Sequence, residues 1–177
     1  MHLNRVTNIA HPMYQSALEL YKISFPPHEQ REAASQECIL KDNGYHFDLV
    51  YDATIFVGLI LYWETPTYIY IEHFCTVPEM RNKRYGEKTL AAMKEKGKTL
   101  ILEIDLPIDA ISKRRKGFYE RCGFVENSYS HIHPPYHKEN IGHELAILSY
   151  PEKITVEQYQ DFTAYLHNKV MNNVFAQ

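Results

Sequence analysis

The chain holds little cysteine: Cys38, Cys75 and Cys122 are odd in number, and none has a close partner in sequence. That excludes a disulfide-built scaffold and implies reduced thiols, with Cys75 and Cys122 in apolar stretches that suit burial. Long apolar runs are also missing: no segment approaches the roughly 20 residues of a membrane-spanning helix. The opening Met-His-Leu-Asn-Arg-Val leads into no apolar run of the kind a secretory signal needs. These absences predict a cytoplasmic protein without a membrane partner. There is no excess of positive charge either. A formal net charge of −3 argues against a general nucleic-acid binder. Repeats and low-complexity tracts are missing as well.

What is present is a chain of 177 residues, 45% apolar and 13% aromatic, enough to fold around a substantial core. Positive charge is local, with Arg81, Lys83, Arg84 and Lys88 in one cluster and Lys113 to Lys116 in another. Local basic clusters in a mildly acidic protein suit a small polyanion better than a long one.

Asn4 to Val6 can begin a first strand. His11 to Ser24 carries Met13, Ala17, Leu18, Leu20 and Tyr21 at helical spacing and stops at Pro26-Pro27. Glu32 to Leu40 predicts a second helix. Tyr45 to Tyr51, Thr54 to Trp63 and Tyr68 to Cys75 read as strands, rich in β-branched and aromatic residues. Gly86 to Lys96 reads as a helix closed by Gly97, Thr99 to Ile104 as a strand buried on both faces, and Ile111 to Arg121 as a helix ended by Gly123. Phe124 to Ile132 and Glu144 to Tyr150 read as closing strands. In the tail, Thr155 and Gln158 make a capping box, and Tyr159, Phe162, Leu166 and Val170 form one apolar stripe. The strand–helix alternation predicts an α/β fold with parallel neighbours and a ligand at their carboxyl ends.

At such an end stands Thr-Val-Pro-Glu-Met-Arg-Asn-Lys-Arg-Tyr-Gly, from Thr76 to Gly86. It leaves a strand, turns through a basic loop and enters a helix, where free N–H groups and the helix dipole favour a pyrophosphate. Phe118 to Phe124 reads Phe-Tyr-Glu-Arg-Cys-Gly-Phe. Together these stretches resemble the cofactor and helix motifs of the GNAT acetyltransferase superfamily, over Tyr68 to Phe124. The run from Leu102 through Tyr150 also resembles uncharacterised bacterial members. The family loop reads Arg/Gln-x-x-Gly-x-Gly/Ala; Arg81 and Gly86 match it, but Arg84 stands where its first glycine belongs.

The resemblance implies a GNAT fold, a mixed central sheet flanked by helices, over residues 1–150, with residues 151–177 as a C-terminal helical extension of the same single domain. It implies acetyl-CoA as co-substrate, held by Phe74, Cys75 and Thr76 along the pantetheine arm and by Arg81, Asn82, Lys83, Arg84, Tyr85, Gly86 and Glu87 around the pyrophosphate. It also implies direct transfer to a primary amine. That reaction needs a group to deprotonate the ammonium, a donor to the thioester carbonyl and a donor to the departing sulfur. Glu72 takes the position of the base and Tyr119 that of the sulfur donor. On a regular strand Glu72 shares a face with Tyr70 and Phe74, where an apolar setting would raise its pKa; a bulge would re-aim Glu72 and His73 together.

Glu29, His133 and Tyr136, in rigid aromatic and polar segments, are candidates for the acceptor pocket. Few acidic residues lie near them, which does not favour a highly cationic acceptor. His131, His133 and His137 raise the question of a metal, but no cysteine lies near them and no metal site is expected. The expected enzyme is an N-acetyltransferase acting on a small-molecule amine, with a homodimer compatible with the fourteen tyrosines. The rival reading is a non-catalytic CoA-binding or interaction domain of the same fold, favoured by Arg84 in place of glycine.

Overall fold

In the computed structural model, residues 1–172, 174 and 175 are described. Among them are eight strands: β1 (His2–Val6), β2 (Tyr45–Asp52), β3 (Ile55–Glu64), β4 (Tyr68–Thr76), β5 (Thr99–Asp105), β6 (Val125–Glu126), β7 (His131–His133) and β8 (His143–Tyr150). They form one sheet in the order β1-β2-β3-β4-β5-β8-β6, with β7 also paired to β8. All pairs are antiparallel except β4 and β5, which lie parallel. The helices are α1 (Tyr14–Ser24), α2 (Ala33–Ile39), α3 (Tyr85–Lys94), α4 (Ala110–Arg121) and α5 (Val156–Tyr165). This is a mixed α/β fold with a C-terminal helix.

Alternation along the strands divides the core in two. Leu49, Leu59, Leu61, Trp63 and Tyr70 face α1, α2 and α5, whereas Ile60, Tyr62, Ile69, Ile71 and Leu102 face α3 and α4. In α1 the residues Tyr14, Ala17, Leu20 and Tyr21 are buried, as helical spacing requires, and Phe25 is already extended before the prolines. At the tail, Gln158 N–H donates to Thr155 Oγ1 (3.3 Å) and Thr155 N–H to Gln158 Oε1 (2.8 Å). Phe162 is fully buried against Tyr70, ring centroids 5.1 Å apart; burial of such a side chain contributes about 1.5–3 kcal/mol. The apolar stripe continues through Leu166 and Val170, but on a π-helical turn over Leu166–Val170.

Two expectations change. Phe124 to Ile132 is not one strand: β6 and β7 are separated at Asn127, whose Nδ2 donates to Ser149 Oγ (2.9 Å) and whose Oδ1 accepts from Ile154 N–H (2.9 Å). A buried asparagine satisfied by Ser149 of β8 and Ile154 beyond it takes the chain out of the ladder. The second change is at Glu72, where β4 is bulged. Leu61 pairs with His73 and the adjacent Tyr62 with Ile71, leaving Glu72 without a partner.

Candidate active site

The pairing of β4 with β5 ends at Ile71–Leu102, yet β4 runs on to Thr76 and β5 to Asp105. The two parallel strands therefore splay at their carboxyl ends. A cleft of about 1080 Å³ fills the opening, walled by the free length of β4, the start of α3, Phe118 and Tyr119 of α4, and the His133–Tyr136 segment.

At one end of the cleft lies the basic loop. Asn82 (φ 62°) and Arg84 (φ 63°) are both left-handed, and Arg84 is the residue before α3. Asparagine tolerates that conformation; arginine is strained in it by about 1 kcal/mol or more. The backbone thus takes the shape a glycine would take, without the glycine. No side chain among the described residues caps α3, so its first N–H groups are free of side-chain partners. The Arg84 guanidinium is largely exposed and lies on Glu87, Nε to Oε2 2.8 Å. Gly86 has a reason in the helix packing: a Cβ there would come within 2.9 Å of Phe118 Cζ. Of the ten expected cofactor residues, nine line the cleft; Lys83 does not, and its ammonium turns to the Met80 sulfur at 3.8 Å.

Glu72 and Tyr119 both line the cleft, as do Glu29, His133 and Tyr136. Burial pushes the Tyr119 phenol up to about 12, so it is protonated at neutral pH. Burial likewise raises the Cys75 thiol to about 11, which leaves no thiolate on this wall.

The setting of Glu72 reverses the expected direction of its pKa. The bulge sends Glu72 and His73 to the face of Tyr70 and places Phe74 on the other. There Glu72 Oε1 accepts from Arg31 Nε (3.1 Å), Arg31 Nη2 (2.9 Å) and Tyr136 OH (2.8 Å), while Oε2 accepts from Trp63 Nε1 (2.9 Å). Desolvation opposes the charge, but the Arg31 guanidinium and these donors outweigh it and hold the carboxyl below the usual range. Both partners of the ion pair are fully buried.

Arg31 and Trp63 were not singled out by sequence, and His73 was named only as a residue that a bulge would re-aim. Arg31 lies in a polar stretch and finds Glu72 at a separation of 41 residues. His73 Nε2 lies 2.9 Å from the Glu29 carbonyl. A carbonyl only accepts, so Nε2 carries the hydrogen and Nδ1 the lone pair in the neutral ring. Nδ1 is buried and has no hydrogen-bond partner among the described residues. Burial also lowers the His73 pKa, against the pull of Glu72, keeping the ring neutral. Beside it runs a second buried group. Glu103 is held by His131 and Tyr70, and its Oε2 lies 3.8 Å from His133 Nε2. Histidines 131 and 133 thus converge on Glu103, while His137 turns away to the Pro27 carbonyl at 3.0 Å.

The model of the acetyltransferase (GNAT) family matches residues 10–124, more than half of the chain. The chain belongs to that family. A GNAT-family acetyltransferase structure from Bacteroides thetaiotaomicron is 28% identical, with 97% of this chain and 98% of that one covered at a TM-score of 0.90. At lower identity the likeness is one of fold. An aminoglycoside 6′-N-acetyltransferase complexed with coenzyme A shares 13% identity, covering 88% of this chain and 99% of that one, TM-score 0.58. A spermidine N-acetyltransferase chimera from Vibrio cholerae and its human counterpart shares 15%, covering 91% and 99%, TM-score 0.62. None of the curated proteins compared with the chain matches it. Among the described residues, no helix of this GNAT chain is long and apolar enough to cross a membrane.

Proposed function

We propose that this GNAT-family chain is an acetyl-CoA-dependent N-acetyltransferase, moving the acetyl group directly from the thioester to a primary amine of a small acceptor. The observation that carries the reading is the splay of β4 from β5 with the uncapped start of α3 at its end. A pyrophosphate fits the first turn of α3 and its left-handed approach through Lys83 to Glu87, where N–H groups and the helix dipole favour an anion. The pantetheine arm then lies along the unpaired edge of β4 from Phe74 to Thr76, hydrogen-bonding as an added strand. This places the thioester near the bulge, where a backbone N–H polarises its carbonyl.

Direct transfer suits the protonated state of Cys75, which lacks the thiolate an acyl-cysteine intermediate needs. Tyr119 hydrogen-bonds the departing sulfur. Its raised pKa makes it a donor that stabilises the thiolate without surrendering its proton. Glu72, ionised and saturated with donors, acts through its neighbours. It fixes Arg31 and Tyr136, and its charge favours the imidazolium of His73. His73 Nδ1 receives the proton of the acceptor ammonium, with Glu29 holding the cation before transfer and His133 and Tyr136 forming the opposite wall.

Calorimetric titration with acetyl-CoA, followed by a panel of amine acceptors, tests the proposal. Micromolar binding and thiol release with at least one amine are expected. Binding without turnover across the panel would favour the non-catalytic CoA-binding reading. No binding up to millimolar ligand would leave the interaction-domain reading.

A further inference from the structure

His28 and Glu29 sit on the short 3-10 turn Pro27–Glu29, and His143 opens β8. Distant in sequence, they meet at the mouth of the cleft. Among the described residues they are the one group of three or more histidine, cysteine or acidic side chains whose ligand atoms all lie within 4.8 Å of one another. His28 Nε2 is 3.6 Å from Glu29 Oε1, and the two imidazole rings have centroids 6.1 Å apart. Ligand atoms around a tetrahedral zinc ion stand about 3.4 Å apart, given bonds of about 2.0–2.2 Å. One contact already meets that spacing. His28 and His143 are 56% and 43% exposed at their side chains, so small rotations bring in the rest.

A second carboxylate adds to the argument. Asp105, at the end of β5, has Oδ1 3.7 Å from His143 Nε2, while Oδ2 accepts from Arg115 Nη1 at 2.6 Å. Oδ1 thus faces the cluster and Oδ2 faces the arginine. Glu29 is half-buried at the same place, with Oε1 beside His28. Two imidazoles and a carboxylate, with a second carboxylate in reach, suit zinc, cobalt or nickel better than the hard cations calcium and magnesium.

We propose that His28, Glu29 and His143 form a binding site for a divalent transition-metal ion of the zinc class, with Asp105 as an added ligand. The ion ties the Pro27–Glu29 turn to β8 and so bridges the acceptor end of the cleft. His28, Glu29 and His143 supply three ligands, and Asp105 completes a tetrahedral set. Because Glu29 also serves a cationic amine in the proposed function, metal and acceptor compete for it. The site itself does not depend on acetyl transfer, and its test needs no cofactor.

Chelator-treated protein is titrated with Co²⁺ while visible absorption is followed, then with Zn²⁺ by calorimetry. One ion per chain at micromolar affinity is expected, with d–d bands and no thiolate-to-cobalt charge transfer. The double variant His28→Ala/His143→Ala should lose at least about tenfold in affinity, since each histidine supplies a ligand. His137→Ala should bind as the parent does. Both histidines of the pair are exposed, and thermal unfolding of the metal-free variants checks that the fold is retained. A loss of less than tenfold in the double variant, a thiolate band, or no binding below millimolar metal would overturn the proposal.

Discussion

Arg84 stands where the GNAT loop has a glycine, and replacing it tests the proposed pyrophosphate cradle. Arg84→Gly changes three terms in stability. The left-handed backbone is relieved of about 1 kcal/mol, glycine's extra freedom in the unfolded chain costs about 0.5–1 kcal/mol, and the exposed pair with Glu87 forfeits about 0.3 kcal/mol. These nearly cancel, so the urea midpoint should hardly move. Affinity is another matter. The backbone has glycine's conformation already, so the N–H groups gain nothing from the substitution. What is removed is a guanidinium that is 79% exposed, lines the cleft and needs only to leave Glu87 to reach a phosphate. A charge-assisted contact at so exposed a place is worth about 1 kcal/mol, or about fivefold in Kd. Calorimetry with acetyl-CoA should therefore show about fivefold weaker binding at low salt, with the difference shrinking toward 1 M salt as the Debye length falls to about 3 Å. A rise in affinity of tenfold would show instead that the arginine side chain narrows the cradle. No change at low salt would remove the guanidinium from phosphate recognition.

Three further outcomes test other parts of the site and core. Tyr119→Phe should lower kcat by about 100-fold while the Kd for acetyl-CoA stays within about twofold, because only the departing sulfur loses its donor; unchanged single-turnover rates would exclude the role. His73→Gln keeps a donor toward the Glu29 carbonyl and removes the lone pair. The parent's kcat/KM should fall as pH drops through the lowered His73 pKa, and the variant should be slow at every pH without that limb. Asp48, buried with Oδ2 accepting from Tyr62 OH and Oδ1 3.9 Å from His46 Nδ1, has its carboxyl pushed up to about 6 by desolvation. A raised carboxyl favours folding fully below the unfolded value, and that gain is lost as pH rises through 6. Asp48→Asn should thus gain about 1–3 kcal/mol over the parent at pH 7.5, with the gain vanishing toward pH 4. A pH-independent difference in urea unfolding would refute it.

The fold was legible wherever the determinant was local. Helix α1 is written in the spacing of Ala17, Leu20 and Tyr21 and in the prolines that end it; α5 is written in Thr155 and Gln158. Strands β2 to β5 carry their β-branched and aromatic residues openly, and the basic loop announces its place between β4 and α3. The break at Asn127 was not legible, because its partners, Ser149 in β8 and Ile154 beyond it, lie 22 and 27 residues on. Nor was the bulge. Tyr-Ile-Tyr-Ile-Glu-His-Phe alternates without a glycine or proline to mark an extra residue, so the face assigned to Phe74 relative to Glu72 came out wrong. Gly86 was read as a match to the family loop; the packing contact that excludes a side chain there, with Phe118, lies 32 residues on and was not legible.

The bulge also changes what Glu72 can be. By placing two successive residues on one face, it brings a carboxylate and an imidazole together under the open end of β4 and sets Arg31 against the first. A buried ion pair of this kind gives little net stability, since desolvation consumes most of the attraction and apolar side chains of similar size would fill the space as well. Glu103 repeats the arrangement on β5 with His131 and Tyr70. Tyr136 and His133 connect the two, Tyr136 donating to Glu72 while its oxygen lies 3.4 Å from His133 Nε2. Stability therefore offers no reason for two buried carboxylates directly beneath the place where β4 and β5 part. Under the proposed mechanism proton handling does: a fixed negative charge beside His73 would favour the imidazolium that forms when the acceptor ammonium gives up its proton.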